Sequence, residues 1–470
     1  MEIAKKFKNI DVVKGDDKKQ LGLVSAISVG IGLVVATSVL VSLAQGVGIA
    51  GKGFVIAMVI ACILNMLTAF SFSELNSLMP VTGGLAQYTL PAFGPLVGMV
   101  AVLGGYVICT FFAGSSEAAM IGIVFTSTFM PSVNPSIVSI VFVLILMIAN
   151  LFEVKNYARI QIVTTSAMII SMMLFGIIGA MGIGTGEMVV QETVAFNPMG
   201  MGVLSLVSLA FWLFVGIEYV TPLSKELKDP DKTVPLGMIL GLIIVLVVQV
   251  AMVYGIYKYV PMGALLDSSL PHMLYASSLL GKVGTYWMAA ISIFAVVSTL
   301  NTILGSVSRM IYGMAKDGML PKIFTKTNKY DIPYVAVVLI GVVFIITLST
   351  GISTAEQLVL YILTGAVFWM VAYIVAHLDV LVLRKKYPNH KRGFQIKLFG
   401  LPQIIGILGM IYMIVNVSPD PEMKVQILKS VGVWFVILTV YGVIWIKKVM
   451  KKNLFETVSI EEVLEMDKSN

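Results

Sequence analysis

Charge is scarce in this sequence. Asp, Glu, Lys and Arg supply 12% of its 470 residues, while 58% are hydrophobic. Soluble domains carry about twice that share of charge, ~25%, so a soluble globular protein is excluded. Cysteine is scarce too. Cys62 and Cys109 both lie inside apolar runs, without metal-ligand or disulfide spacing, and read as packing residues. The three histidines, His272, His377 and His390, form no metal-binding pair at helical spacing. A phosphate-binding loop, a nucleophile elbow and a dinucleotide fingerprint are all missing, so neither ATP-driven pumping nor enzymatic chemistry finds support. The expectation is no enzyme, no cofactor and no metal centre.

What is present is a succession of apolar runs from Leu21 to Ile446. Most are long enough to cross a hydrocarbon core of roughly 30 Å. In lipid the backbone must satisfy itself within helices or a closed barrel, and the runs lack the two-residue alternation of a barrel. The reading is an all-α membrane protein with twelve helices near 21–46, 52–78, 95–128, 137–152, 157–184, 200–226, 235–259, 283–315, 334–350, 356–384, 401–417 and 426–446. The polar segment 1–20 carries no small-residue cleavage site, so the first run is a retained helix rather than a signal peptide. The domain reading is a tail over 1–20, a bundle over 21–446 and a second tail over 447–470. The connectors, the longest at 259–283, 316–333 and 385–400, are loop-sized.

Lys and Arg set the orientation. With the N-terminus in the cytoplasm and loops alternating, 27 of the 32 fall inside, and only Lys52, Lys258, Lys282, Lys424 and Lys429 fall outside. That asymmetry places both termini in the cytoplasm of a multi-pass cell-membrane protein. It also accounts for the net charge of +7, which is then no sign of nucleic-acid binding.

Ionisable and glycine-rich points inside the bundle are the candidate sites. Span one carries Ser28-Val29-Gly30-Ile31-Gly32, and span six carries Phe211 to Glu218 with Gly216. These open what would be two five-helix halves, and glycine interruptions at matching places suggest broken helices meeting at the midplane. Free N–H groups there would meet a carboxylate, and free carbonyls a cation. The competing reading is that Gly30 and Gly32 only allow close helix packing. Glu218 follows the break in span six and is either a working carboxylate or a structural one bonded to a neighbouring helix. Glu117 in span three faces the pathway or the outer interface, and Glu117, Thr37 and Ser38 are each candidate second-site residues. Glu74 reads as structural, and His377 and Asp379 as reaching headgroups or loops. Trp212 and Phe214 flank the span-six break, where an aromatic stacks on a substrate, holds an ammonium over its face, or simply packs.

Three further stretches carry a resemblance. They are Pro80-Val81-Thr82-Gly83-Gly84 continuing to Tyr88, the span-six string with Ser224 to Pro230 and Pro235, and Ser308-Arg309 through Leu320-Pro321. Over Leu21 to Trp445 the chain resembles the amino acid–polyamine–organocation permeases. The resemblance implies the LeuT-type fold: two inverted five-helix repeats, about 21–184 and 200–384, plus two helices over about 401–446. It implies secondary transport of an amino acid or related amine by alternating access. The span-six string is similar to that of arginine/agmatine exchangers, which implies a substrate-stacking Trp212 and a gating Glu218. Leu383 to Pro388 and Arg392 to Phe394 resemble the glutamate/GABA antiporter branch.

Two departures stand out. The span-one string is displaced, so its carboxylate site falls on Gly30-Ile31-Gly32 or on Val34 to Ser38, depending on register. Where proton-coupled members often have a lysine in span five, the alignment places Met168, which carries no charge. Ser298 and Thr299 in span eight are candidate sodium ligands, although such pairs commonly just bond helix carbonyls. The leading expectation is therefore exchange. A sodium- or proton-coupled symporter is the alternative, and a channel-like or receptor protein the alternative from another class. The expected partners are a small amino acid or amine and membrane lipid; the oligomeric state is left open.

Overall fold

The computed structural model describes residues 21–152, 154–191, 206–350, 355–418 and 420–468. The N-terminal tail, the first residues of span six and the side chain of Lys155 lie outside the described residues. The described chain is helical, and its single β-bridge joins Leu21 to Leu227. That is what lipid requires of an apolar chain whose backbone donors have no water to turn to.

Span one is split into Leu23–Val34 and Thr37–Ala50. Span two is Phe54–Leu78, span three Pro95–Phe129, span four Pro135–Ala149 and span five Val154–Met181. Span six is Val207–Phe211 followed, after a turn, by a 3₁₀ helix over Ile217–Glu226. Spans seven to twelve are Pro230–Tyr259, Pro271–Lys316, Tyr334–Ser349, Ala355–Lys386, Leu401–Val415 and Pro421–Trp445. Seven helical stretches among the described residues are long and apolar enough to cross a membrane, and four shorter apolar helices accompany them, one before the first and three between.

The connectors hold more structure than their length suggests. The segment 259–283 contains a helix, Met262–Asp267, and the opening turns of span eight, which bends at Leu280 and Gly281. Gly281 takes φ +58°, a left-handed conformation open to glycine at no steric cost. After span two, Leu85–Phe93 forms a further short helix.

Buried ions tie the bundle together at one end. Glu74 of span two accepts from Arg384 Nε (2.8 Å) and Nη2 (2.5 Å) of span ten, and Arg392 Nε lies 3.3 Å from the same carboxylate. His377 and Asp379 are both fully buried, and Asp379 reaches the connector helix Leu85–Phe93. His377 Nδ1 pairs with the Ser71 hydroxyl at 2.9 Å, and Asp379 accepts from the Thr89 hydroxyl at 2.7 Å. A polar side chain inside a helix bundle finds its partner on the next helix because no water is at hand.

The C-terminal tail also folds. Ile460–Lys468 is a helix whose start is capped by the Ser459 hydroxyl, which accepts from the Glu462 N–H at 3.1 Å. Val463 and Ile460 are buried, and Asp467 forms a 2.5 Å ion pair with Lys225 at the end of span six. The Asp467 carbonyl accepts from Lys225 Nζ (2.7 Å) and from Lys316 Nζ (3.3 Å) at the end of span eight. Burial first, and then the nearby Asp467 carboxylate, push the Asp317 carboxyl up to about 8. The Asp467 carboxylate of the docked tail thus favours the protonated form of Asp317. Docking is favoured at low pH, weakens as pH rises through the interval up to about 8, and levels off above it. A fluorophore on a cysteine replacing the exposed Glu465 should lose anisotropy as pH rises toward 8, and Asp317→Asn should flatten that response. An anisotropy independent of pH in the unsubstituted Asp317 background contradicts the linkage.

Candidate transport site

Two chain breaks face each other across the middle of the bundle. In span one the helix stops at Val34, passes through non-helical Val35 (φ −96°, ψ 87°) and extended Ala36 (φ −99°, ψ 167°), and restarts at Thr37. A helix start leaves N–H donors without partners, and Ala36 has no side-chain atom with which to cap them. Glu117 of span three supplies the acceptors instead. Its Oε2 accepts from the Thr37 N–H at 3.1 Å and its Oε1 from the Ser38 N–H at 2.9 Å.

In span six the helix ends at Phe211, and Gly216 turns the chain at φ +101°. A Cβ at Gly216 would run into Leu33, so the turn requires glycine on both conformational and steric grounds. The Gly216 N–H donates to the Tyr373 hydroxyl at 3.0 Å, and that hydroxyl donates to Glu218 Oε2 at 2.5 Å. Glu218 Oε1 accepts from Trp369 Nε1 at 2.8 Å. Trp212 Nε1 donates to the Ser38 hydroxyl at 3.0 Å, linking the two breaks directly.

A cavity lies between them. Its wall takes Val34 and Ala36 from span one, Thr110 and Glu117 from span three, Trp212, Val215 and Tyr219 from span six, Thr299 and Ile303 from span eight, and Trp369 from span ten. Its free volume is about 30 Å³, room for about two water molecules. Anything larger enters only if the walls part, and the two interrupted helices are where the backbone gives most readily.

The sequence-derived residues fall into three groups. Thr37, Ser38, Glu117, Trp212 and Glu218 are brought together around the breaks. Gly30, Ile31 and Gly32 lie inside the intact helix Leu23–Val34, so the span-one break falls on the second of the two registers. There the glycines allow close approach: a Cβ at Gly30 would meet Ile217, and one at Gly32 would meet Gln161 and Ser298. Phe214 is buried away from the cavity wall. Trp369, Tyr373, Tyr219, Thr110 and Gln161 were not among the sequence-derived candidates. The signal for Trp369 and Tyr373 was an i, i+4 pair of polar-tipped aromatics inside span ten.

Gln161 and Thr165 are span-five residues that face spans one and eight, two turns or less before Met168. Gln161 Nε2 donates to the Ser28 carbonyl (3.2 Å) and to the Ser298 hydroxyl (2.6 Å), while Thr165 donates to the same carbonyl at 3.1 Å. Backbone carbonyls fix the amide orientations. Asn150 Nδ2 must face the Leu146 carbonyl, so Asn301 Oδ1 accepts from Asn150. Asn301 Nδ2 then faces the Tyr157 carbonyl and Gln161 Oε1, and Gln161 Nε2 is left to face Ser28. Thr299 donates to the Gly32 carbonyl at 3.2 Å. The oxygens a cation would need from Ser28, Ser298 and Gly32 are engaged by N–H and O–H donors.

Two interrupted helices around a central cavity in an all-α bundle are the architecture of a membrane transporter of the LeuT-type fold. Residues 21–444 match the model of the amino acid permease family. The chain is 25% identical over 438 residues to the branched-chain amino acid permease BcaP of Bacillus subtilis (strain 168), covering 85% of this chain and 88% of that one. It is 25% identical over 484 residues to the cystine/glutamate transporter of Homo sapiens, covering 96% and 92%. A solved structure of a Na+-coupled sialic acid symporter in a substrate-bound outward-open state shares the fold, with a TM-score of 0.53 at 11% identity over 85% of this chain and 90% of that one. The chain belongs to the amino acid permease family and is a membrane transporter, not an enzyme.

Proposed function

We propose that this chain is a secondary carrier moving an amino acid or related amine across the cell membrane by alternating access, and that it works by exchange. The carrying observation is the neutral amide of Gln161 between the Ser28 carbonyl and Ser298. A fixed neutral donor there brings no titratable charge and competes with sodium for the same oxygens. The drive then comes from a counter-substrate. Thr37, Ser38, Glu117, Trp212 and Glu218 form the binding and gating site in this reading, with Gly216 as its hinge. The orientation has both termini in the cytoplasm, supported by the Lys and Arg distribution. The contacts of Lys225 and Lys316 with Asp467 support placing the ends of spans six and eight and the C-terminal tail on one face.

Exchange predicts that empty liposomes take up little substrate with or without a sodium gradient, while liposomes preloaded with substrate take up severalfold more. Internal substrate lets the carrier return loaded and bypass a slow empty return. Uptake into empty liposomes that depends on sodium and is lost in Ser298→Ala would establish symport instead. Flux without stimulation by substrate on the far side would indicate a channel.

A further inference from the structure

The N–H groups that open the second half of a broken span are where a substrate carboxylate is expected to bind. Here that place is filled from within. Both oxygens of Glu117 are used on the Thr37 and Ser38 N–H groups, and the side chain is 3% exposed. Among the described residues, the cavity wall includes no Lys, Arg or His. Its two indole donors are committed, the Trp212 N–H to Ser38 and the Trp369 N–H to Glu218.

What remains open suits a cation. The hydroxyls of Thr110 and Tyr219 interact with each other at the wall and can accept from an ammonium. The rings of Trp212 and Tyr219 both stand edge-on to Trp369, with centroids 6.3 and 5.4 Å from it, and the three aromatic rings border the space. An ammonium is attracted both to such faces and to the Glu117 carboxylate beside them. A second carboxylate would meet no charged donor in this wall and would face the charge of Glu117.

We propose that Glu117 stands in for the substrate carboxylate, so that this site selects an organic amine bearing an ammonium group but no free carboxylate over its parent α-amino acid. The inference rests on the carrier reading above. Glu117 is a specificity-determining residue in it, because it occupies the donors that would otherwise distinguish an amino acid from an amine.

The test uses the full chain in liposomes and pairs that differ only in the carboxylate: isoamylamine and leucine, phenethylamine and phenylalanine, histamine and histidine, cadaverine and lysine. For at least one pair the amine should be favoured by about tenfold or more, the loss expected when a charged group is left without a hydrogen-bond partner. Methyl esters of the same amino acids, which keep the ammonium and remove the charge, should behave like the amines. Glu117→Ala frees both N–H groups and should shift preference toward the amino acid, and Glu117→Gln, which keeps one accepting oxygen, should shift it less. The ester comparison needs no variant, so it decides the matter even if Glu117→Ala fails to fold. A wild-type preference for the free amino acid in every pair, with esters rejected, overturns this proposal and leaves the carrier reading standing. Transport of neither member of any pair overturns the carrier reading and this proposal together.

Discussion

Glu74→Ala is expected to yield little folded protein, because it strands two arginines. Arg384 and Arg392 are 16% and 4% exposed, and both point at the Glu74 carboxylate. Arg384 keeps a bond to the Ile396 carbonyl at 2.9 Å, but neither guanidinium would have an acid opposite it. Breaking a buried ion pair from one side costs about 3–5 kcal/mol, because the remaining charge stays desolvated. Stability of most single domains is only about 5–15 kcal/mol, so this one change removes a large part of it. The cluster fastens span two to the end of span ten and to the loop beyond it, where Ser77 donates to the Phe394 carbonyl at 3.2 Å. Fluorescence-detected gel filtration in detergent should show a low yield and an early melting transition. Glu74→Leu combined with Arg384→Leu should recover part of the loss, because removing both charges leaves fewer stranded than removing one. A melting temperature for Glu74→Ala equal to wild type would show that the cluster does not hold the bundle together.

The spans were legible because lipid admits only helices to an apolar chain that does not alternate. The span-six break was legible as well, because a left-handed turn inside a helix calls for glycine, and Gly216 is that residue. The span-one break was narrowed only to two registers. Val34-Val35-Ala36 contains neither glycine nor proline, and what stabilises the restart is Glu117, a residue 80 positions away. The glycines that drew attention to Gly30 and Gly32 serve the close approach of Ile217 and Gln161 instead. Gln161 was missed for a related reason. Position in an alignment pointed to Met168, seven residues on, two turns further along the same helix. The better cue was chemical: a primary amide in an apolar run has to find partners, and the partners here are on spans one and eight. The tail helix had its own signal in Ser459 and Glu462, a capping pair ahead of Val463 and Leu464.

Glu218→Gln is expected to leave expression near normal and to slow transport roughly ten- to hundredfold, the equivalent of ~1–3 kcal/mol for one buried donor left unpaired. Glu218 accepts two hydrogen bonds, from Trp369 Nε1 and from the Tyr373 hydroxyl. A carboxylate has an oxygen for each; a glutamine has one oxygen and one NH₂. Whichever way the amide is turned, its NH₂ faces a donor. The Tyr373 hydroxyl cannot resolve the conflict by accepting, because it already accepts the Gly216 N–H at 3.0 Å and would still have to place its own proton. The chain Gly216 to Tyr373 to Glu218 joins the span-six turn to span ten, and Trp369 carries it to the cavity wall. These are the elements that must change their relation when the closed cavity opens to one side and then the other. Folding is less affected, because the side-chain volume is unchanged and the helices packed around it are untouched. Exchange of labelled substrate between preloaded liposomes measures the rate, and its pH profile separates the two roles of the carboxylate. If Glu218 exchanges protons during the cycle, Glu218→Gln flattens the profile as well as lowering it. If Glu218 only positions Trp369 and Tyr373, the profile keeps its shape at a lower rate. Tyr373→Phe supplies the cross-check. Acting through the same contact, it should combine with Glu218→Gln to give less than the product of the two single effects. Wild-type exchange by Glu218→Gln at every pH would remove this carboxylate from the transport cycle.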